Sequence, residues 1–326
     1  MRLFALQESR ILGEAVATRL GIILDTHEER RFDDGEHKTR PLVSVHGEDV
    51  YIIQSLGGDQ TVSANDKLCK LLFFAAACRE NGAAQVSTIV PYLAYARKDR
   101  QTKARDPVTL KYVAQLFEAM GVARVVTVDV HNVAAFQNAF RCATINLTSF
   151  DLFYPHIEWL VEGGPVTILS PDAGGIKRAQ LIRESFERVR GTPVGLAMME
   201  KRRSEDVVTS DLFAGDVEGR CVIIVDDLIA TGTTILHAAQ ACLARGAKKV
   251  IAVAAHGHFT GGSTALFAEP AVAQILVTDS LSHASLHQKL HAEKLTVCSL
   301  APRLAEAIRR LRADEDVTGL TAIQDL

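Results

Sequence analysis

Residues 220–247 read RCVIIVDDLIATGTTILHAAQACLARGA, and this stretch decides the fold class. Cys221–Val225 is apolar at every position, the pattern of a strand covered on both faces within a parallel sheet. The run ends in two adjacent carboxylates, Asp226 and Asp227. A tight loop, Ala230-Thr231-Gly232-Thr233-Thr234, then opens a helical pattern over Ile235–Arg245. Free amides and the helix dipole at such a turn favour an anion the size of phosphate, and threonine hydroxyls add donors. The paired carboxylates suit sugar hydroxyls or a hydrated divalent cation. GxxxxGK[ST] is absent, so this is not a Walker A loop. A plain helix cap in a polar turn would need only part of this pattern; strand, acidic pair and Thr/Gly cradle together point to a ligand.

Outward from it, similar apolar runs recur: VSTIV before Pro91, RVVTVDV before His131, VTILS before Pro171, KVIAVAA before His256 and QILVT before Asp279. Helical patterns at Asp66–Asn81, Leu110–Met120 and Ile176–Val189 alternate with them, which predicts an α/β fold with a mostly parallel sheet. One unit occurs three times, as ENGAAQVSTIV (80–90), AMGVARVVTV (119–128) and ARGAKKVIAV (244–253). In each, a glycine suited to a helix C′ cap releases the chain into a strand. Two copies in the first half and one in the second suggest two similar domains meeting near Thr148. The expected division is 1–148, then 149–296, a final helix over 297–312 packing back on the first domain, and a polar tail over 313–326.

The 326 residues fit about two domains. With 48% hydrophobic and 23% charged residues the chain reads as globular. A net charge of −3, from 36 basic and 39 acidic side chains, gives no general attraction to nucleic acid or anionic membrane. Any polyanion must be held locally. Six cysteines without a CxxC pair suit a reducing compartment. MRLFALQESR turns polar too soon for a signal peptide, and the longest apolar run, Leu71–Cys78, is far short of the ~20 residues of a membrane span. The expectation is a cytoplasmic protein with no nucleic-acid or membrane partner.

The stretch 220–247 resembles the motif shared by type I phosphoribosyltransferases and phosphoribosyl-diphosphate (PRPP) synthetases. Further motifs choose between them. PYLAYARKDRQ is similar to PYxxYARQDR of the synthetases, FDDGE (32–36) to FxDGE, VDVHN (128–132) to the DLH segment, SPDAGGIKRA (170–179) to SPDxGGxxRA, and MMEKRR (198–203) to the mobile-loop KRR. NDKL (65–68) and LAEAIRRL (304–311) also match, so the resemblance covers residues 1–312. It implies a ribose-phosphate diphosphokinase: two phosphoribosyltransferase type I-like domains that transfer the β,γ-diphosphoryl group of ATP to the 1-hydroxyl of ribose 5-phosphate, giving PRPP and AMP for nucleotide biosynthesis.

The resemblance also implies roles. Lys201 and Arg203 would clamp the transferring group, although a KRR triplet alone reads as solvated surface. Arg203, Asp226, Asp227, Ala230, Thr231, Gly232, Thr233 and Thr234 would bind ribose 5-phosphate. Arg97 and Lys98 would contact ATP. FDDGE, in isolation a hairpin turn of Asp-Gly type, would enter a neighbouring subunit's site. There Phe32 would stack on adenine, and Asp34, Gly35 and Glu36 would line the adenine or the ribose. Mg²⁺ would be held by His131 and Asp172. Because Mg²⁺ prefers oxygen, His131 is left with either a weak metal contact or a phosphate contact, and Asp129 is left as a group behind the metal. The implied assembly is a homo-oligomer, dimer-based and up to a hexamer.

Three positions depart from the pattern. Lys98 stands where Gln is usual, and a point charge cannot copy an amide's paired hydrogen bonds, which leaves the nucleotide preference open. Ala230 replaces an Asp of the ribose-phosphate loop. His46, in SVHG (44–47), replaces an Arg associated with effector binding. The HxH of His256 and His258 reads as structural. Two other functions remain to be weighed. A non-catalytic synthetase-associated subunit is disfavoured by the retention of Lys201, Arg203, His131 and Asp172. A PRPP-using phosphoribosyltransferase is disfavoured by the KRR loop and FDDGE.

Overall fold

The computed structural model describes residues 1–200, 203–204, 207–208, 212–282 and 293–322. The chain divides into two compact units. Unit 1 comprises Met1–Thr148, Ser280–Ser282 and Leu300–Thr321, and unit 2 comprises Ser149–Asp279 with Ala322 and the described part of 283–299. Both are mostly parallel sheets flanked by helices, the fold class read from the sequence.

In unit 1 the strands β1 (Arg2–Ala5), β4 (Asp49–Ile53), β5 (Gln85–Val90), β6 (Arg124–Val128) and β7 (Ala143–Leu147) lie side by side in that order, all parallel. An antiparallel hairpin, β2 (His27–Arg31) and β3 (His37–Pro41), stands apart from the sheet. Phe4, Val50, Ile52, Val86, Val90 and Val125 face a core filled from α2 (Ala64–Glu80), α3 (Thr109–Ala119) and α4 (Val133–Ala139). Alternation sends Ala5 to the other face, where α1 (Arg10–Leu20) lies so close that a Cβ on Gly13 would come within 2.1 Å of the Ala5 Cβ. The C-terminal helix α9 (Ala301–Arg312) packs against α1 and buries Leu304 and Ile308.

Unit 2 orders its strands β12-β9-β8-β13-β14-β15-β16: β12 (Leu212–Ala214), β9 (Gly195–Glu200), β8 (Val166–Ser170), β13 (Cys221–Ile229), β14 (Lys249–Gly257), β15 (Gln274–Thr278) and β16 (Leu295–Cys298). Among these described strands only β12 runs antiparallel. β10 (Arg203–Ser204) and β11 (Val207–Val208) form a separate two-stranded ribbon. Along β13 the faces alternate. Cys221, Ile223 and Val225 join the core under α5 (Phe150–Val161) and α6 (Ile176–Arg190). Val222 and Ile224 join the core under α7 (Thr233–Leu243) and α8 (Thr264–Ala268).

The three repeated turns close alike. Gly82, Gly121 and Gly246 all have positive φ. The next amide in each case reaches back five residues: Ala83 to the Cys78 carbonyl, Val122 to Phe117 and Ala247 to Cys242 (3.1, 3.2 and 3.1 Å). This bond and the left-handed glycine make a Schellman end. Among the described residues no helix is long and apolar enough to cross a membrane.

Candidate active site

From β8 the chain moves to β9 on one side, whereas β13 and the later strands are added on the other. The crevice beyond the carboxyl ends of β8 and β13 is therefore a topological switch point, where open α/β sheets bind ligands. Among the described residues, Asp172, the acidic pair Asp226 and Asp227, and the loop of Ala230–Thr234 lie at these strand ends. β8 pairs with β13 only as far as Leu169↔Ile224, whereas β14 accompanies β13 as far as Ile229↔Gly257. The strand thus runs past the acidic pair instead of ending at it, because β14 still offers hydrogen bonds there.

The alternation continues into the pair. Asp227, buried, follows the face of Ile223 and Val225 toward α6, and Asp226, partly exposed, follows the opposite face toward α7. The Asp227 amide donates to Asp226 Oδ1 at 2.8 Å. Arg178, in the first turn of α6, donates through Nη1 to Asp227 Oδ1 at 3.2 Å and lies 3.9 Å from Asp226 Oδ1. Burial, and then the neighbouring Asp227, push the Asp226 carboxyl well above its usual range, with Arg178 pulling against them. Arg178 belongs to SPDAGGIKRA, yet nothing in that motif's spacing marks it for a role at the acidic pair.

The loop after β13 leads into α7 at Thr233, two residues earlier than the apolar pattern suggested. Gly232 is the N-cap, with φ +78° and no side-chain cap, so the helix's first amides face outward. A Cβ on Gly232 would also lie 2.7 Å from Leu266 Cδ2 of α8. Glycine is thus required twice, for the left-handed backbone and for the close approach. Thr231, Thr233 and Thr234 are exposed, and the Thr231 and Thr233 hydroxyls lie 3.1 Å apart. The segment after β14 braces the loop from below. His258 donates its amide to the Ile229 carbonyl (2.9 Å), and Thr260 donates to that of Ala230 (3.2 Å). His256 is buried. Asp172 caps the turn before α6, its Oδ1 accepting from the Gly175 amide at 2.9 Å.

Unit 1 places Arg97, Lys98 and His131 on two loops beyond β5 and β6. Arg97 and Lys98 are exposed, just after Tyr95, whose φ of +64° turns the loop sharply. Asn132 caps α4 and donates to Asp99 Oδ2 at 2.7 Å, tying the loop of Arg97 and Lys98 to the exposed His131. His131 and Asp172 belong to different units. Among the described residues no group of three or more His, Cys, Asp or Glu gathers as a metal cluster. His46 is exposed beside Gly82.

The FDDGE hairpin is longer than a two-residue Asp-Gly turn. β2 and β3 pair through Arg31↔His37, and the Phe32 amide still reaches the Glu36 carbonyl at 2.8 Å. The Gly35 amide bonds the Phe32 carbonyl (3.0 Å), and Gly35 has φ +92°. This is a three-residue loop with a glycine bulge. The Glu36 amide donates to Asp34 Oδ1 at 3.0 Å. Phe32 is 38% exposed, with the Arg30 guanidinium 4.9 Å above its ring. At its base, Lys70 of α2 bridges Glu8 and Glu29 (2.5 and 3.5 Å), which fastens β2 to the helix.

Residues 1–121 match the N-terminal domain of ribose phosphate pyrophosphokinase, and residues 197–321 match the phosphoribosyl synthetase-associated domain. The ribose-phosphate pyrophosphokinase of Thermosipho africanus is 36% identical over 320 residues, spanning 98% of this chain and 96% of that protein. The chain belongs to the ribose-phosphate pyrophosphokinase family. The Vibrio parahaemolyticus ribose-phosphate pyrophosphokinase is likewise 36% identical over 323 residues, covering 98% of each chain. The crystal structure of phosphoribosylpyrophosphate synthetase from Mycobacterium smegmatis superposes with a TM-score of 0.85 at 30% identity, covering 96% of this chain and 99% of that one. A member of this family is an enzyme, a transferase of PRPP biosynthesis, so the family reading of the sequence holds. Lys201 lies outside the described residues; Arg203 is described by its backbone in β10.

Proposed function

We propose that this chain transfers the β,γ-diphosphoryl group of ATP to the 1-hydroxyl of ribose 5-phosphate, with the sugar phosphate held by unit 2 and ATP by unit 1. The carrying observation is the switch-point crevice, where a phosphate-sized nest of amides and hydroxyls adjoins an acidic pair. Amides at the start of α7 and the hydroxyls of Thr231, Thr233 and Thr234 bind the 5-phosphate. Gly232 permits the turn, and Ala230 leaves its centre without a side-chain carboxylate. Asp226 and Asp227 accept from the ring hydroxyls. The sugar 1-hydroxyl is the nucleophile, so the protein's work is alignment and charge neutralisation. Lys201 and Arg203 act on the transferring group as charge moves to the leaving oxygen.

On the ATP side, Arg97 and Lys98 meet the triphosphate. Phe32 stacks on the adenine, with Asp34, Gly35 and Glu36 at its edge. The partly exposed Phe32 ring at the hairpin tip supports this reading, with the Arg30 guanidinium over one of its faces. The hairpin serves a neighbouring copy, in a dimer-based homo-oligomer of up to six chains. Mixing Phe32→Ala with Lys201→Ala subunits tests this. Partial return of activity on subunit exchange is expected; no return despite proven exchange overturns the shared site.

Mg²⁺ fits this site as an ion bound chiefly by phosphate oxygens. By the family resemblance, the exposed Asp172 carboxylate, oriented by the Gly175 amide, and His131 would hold it. Once bound, it neutralises triphosphate charge. The deciding experiment is an AMP-release assay with purified protein, Mg²⁺ and a series of nucleoside triphosphates. Release dependent on ribose 5-phosphate is expected. Its absence with every triphosphate favours a non-catalytic partner subunit. Varying the triphosphate also reads out what Lys98 does to nucleotide choice.

A further inference from the structure

Two adjacent carboxylates at the end of a buried strand pose an electrostatic problem. Like charges this close cannot both ionise cheaply, and a protonated carboxyl offers a donor where a ribose hydroxyl needs an acceptor. Burial of Asp226, and then its interaction with Asp227, push in that direction. Among the described residues, a counter-charge comes from α6. Arg178 sits six residues after Asp172, in the first turn of α6, which packs over β8 and on the Asp227 face of β13. It is only partly exposed and bonds Asp227 at 3.2 Å, with Asp226 further off at 3.9 Å. The arginine thus approaches the pair from the α6 side, while the phosphate loop and α7 flank Asp226 on the other.

We infer that Arg178 is a positioning residue for the ribose site: it fixes the Asp227 carboxylate from the α6 side and keeps both members of the pair available as acceptors for the ring hydroxyls. It acts through the pair and carries no contact with the reacting atoms. Asp172 caps the short turn that leads into α6, so the SPDAGGIKRA segment joins two tasks in ten residues. Its aspartate serves the metal–ATP side, and its arginine, six residues later, serves the sugar side.

This inference rests on the assignment of Asp226 and Asp227 to the ribose hydroxyls, and a double-mutant cycle separates the two. Full-length Arg178→Gln, Asp227→Asn and the double variant are assayed with MgATP and ribose 5-phosphate, each substrate varied. Arg178→Gln should raise KM for ribose 5-phosphate about 10- to 30-fold, the scale of one charge-assisted hydrogen bond, with KM for ATP within about two-fold. In the Asp227→Asn background the same change should add less than about two-fold, since its partner is already neutral. Arg178→Lys, which restores the charge without the planar fork, should recover part of the loss, and it stands in for the Gln variant if that fails to fold. Additive effects, or equal shifts in both KM values, would overturn the positioning role. If Asp227→Asn raises KM for the sugar and Arg178→Gln does not, the inference falls and the ribose assignment stands. If Asp227→Asn leaves the sugar KM unchanged, the assignment falls and takes the inference with it.

Discussion

The two units share strand–helix alternation and the same glycine-ended turns, yet they build their binding loops differently. In unit 1 each later strand of the sheet is added on one side, in the order β1-β4-β5-β6-β7, and among these described strands there is no switch point. Its candidate residues ride on loops that lean on each other, as Asn132 leans on Asp99. In unit 2 the strand order reverses between β8 and β13, so the sheet itself opens a crevice, and the candidate residues lie on the strand end and the helix start. Two sequences of similar periodicity therefore carry chemistry at different depths. Unit 2 builds its site into the scaffold, where a change should be felt in both stability and sugar binding. Unit 1 places its candidates on surface loops, where a change should touch binding alone.

The largest effect should come from neither sheet. Lys201→Ala should lower kcat by about 10²–10³ and leave both KM values nearly unchanged, as expected when one electrostatic contact to the transition state is lost. Steady-state AMP release measures this, and a kcat within a few-fold of the parent would remove the KRR segment from the mechanism. Next in size, Gly232→Ala should both destabilise the protein, by about 1–3 kcal/mol in denaturant unfolding, and weaken ribose 5-phosphate binding. The left-handed backbone and Leu266 leave the new methyl nowhere to go. The counterpart in unit 1 is Lys98→Gln, on an exposed loop. It should change nucleotide preference while stability stays within about 0.5 kcal/mol. Equal stability losses at the two positions would erase the distinction between scaffold and loop.

The smallest expected difference concerns thiols. Burial pushes the Cys78 thiol of unit 1 and the Cys242 thiol of unit 2 up to about 12, and Cys142, Cys221 and Cys298 up to about 11. Cys69 is exposed on α2. In native protein at pH 8 a thiol-specific reagent should label Cys69 first, and the buried cysteines in the two units should stay equally protected. Faster labelling of Cys242 than of Cys78 would show that unit 2 opens more readily despite its larger sheet.

Much of this was legible in the sequence, for reasons visible in particular residues. QILVT and VTILS are the strands β15 and β8 without adjustment, because buried parallel strands are apolar throughout. The edge strand β1 and the mixed ATINL of β7 were not, since short or partly polar strands at a sheet margin lack that pattern. The Thr/Gly loop announced itself through residues with special backbone needs. What escaped was the geometry between elements. Sequence spacing cannot show that β13 runs on to Ile229 because β14 does, nor that Arg178 of a neighbouring helix reaches Asp227. The departures at Lys98, Ala230 and His46 were visible as residues, and all three sit in loops, outside the helices and strands that demand a particular side chain.

The most direct measurement sets the two units against each other with one substitution in each: Asp226→Asn at the switch point and Phe32→Ala on the hairpin, assayed for KM of ribose 5-phosphate and of ATP. Asp226→Asn should raise the sugar KM at least about tenfold with the ATP KM nearly fixed, the effect of losing one charged acceptor. Phe32→Ala should raise the ATP KM by a similar factor through lost stacking and leave the sugar KM alone. The reverse pattern, or both values rising together in both variants, would contradict the assignment of sugar to unit 2 and nucleotide to unit 1.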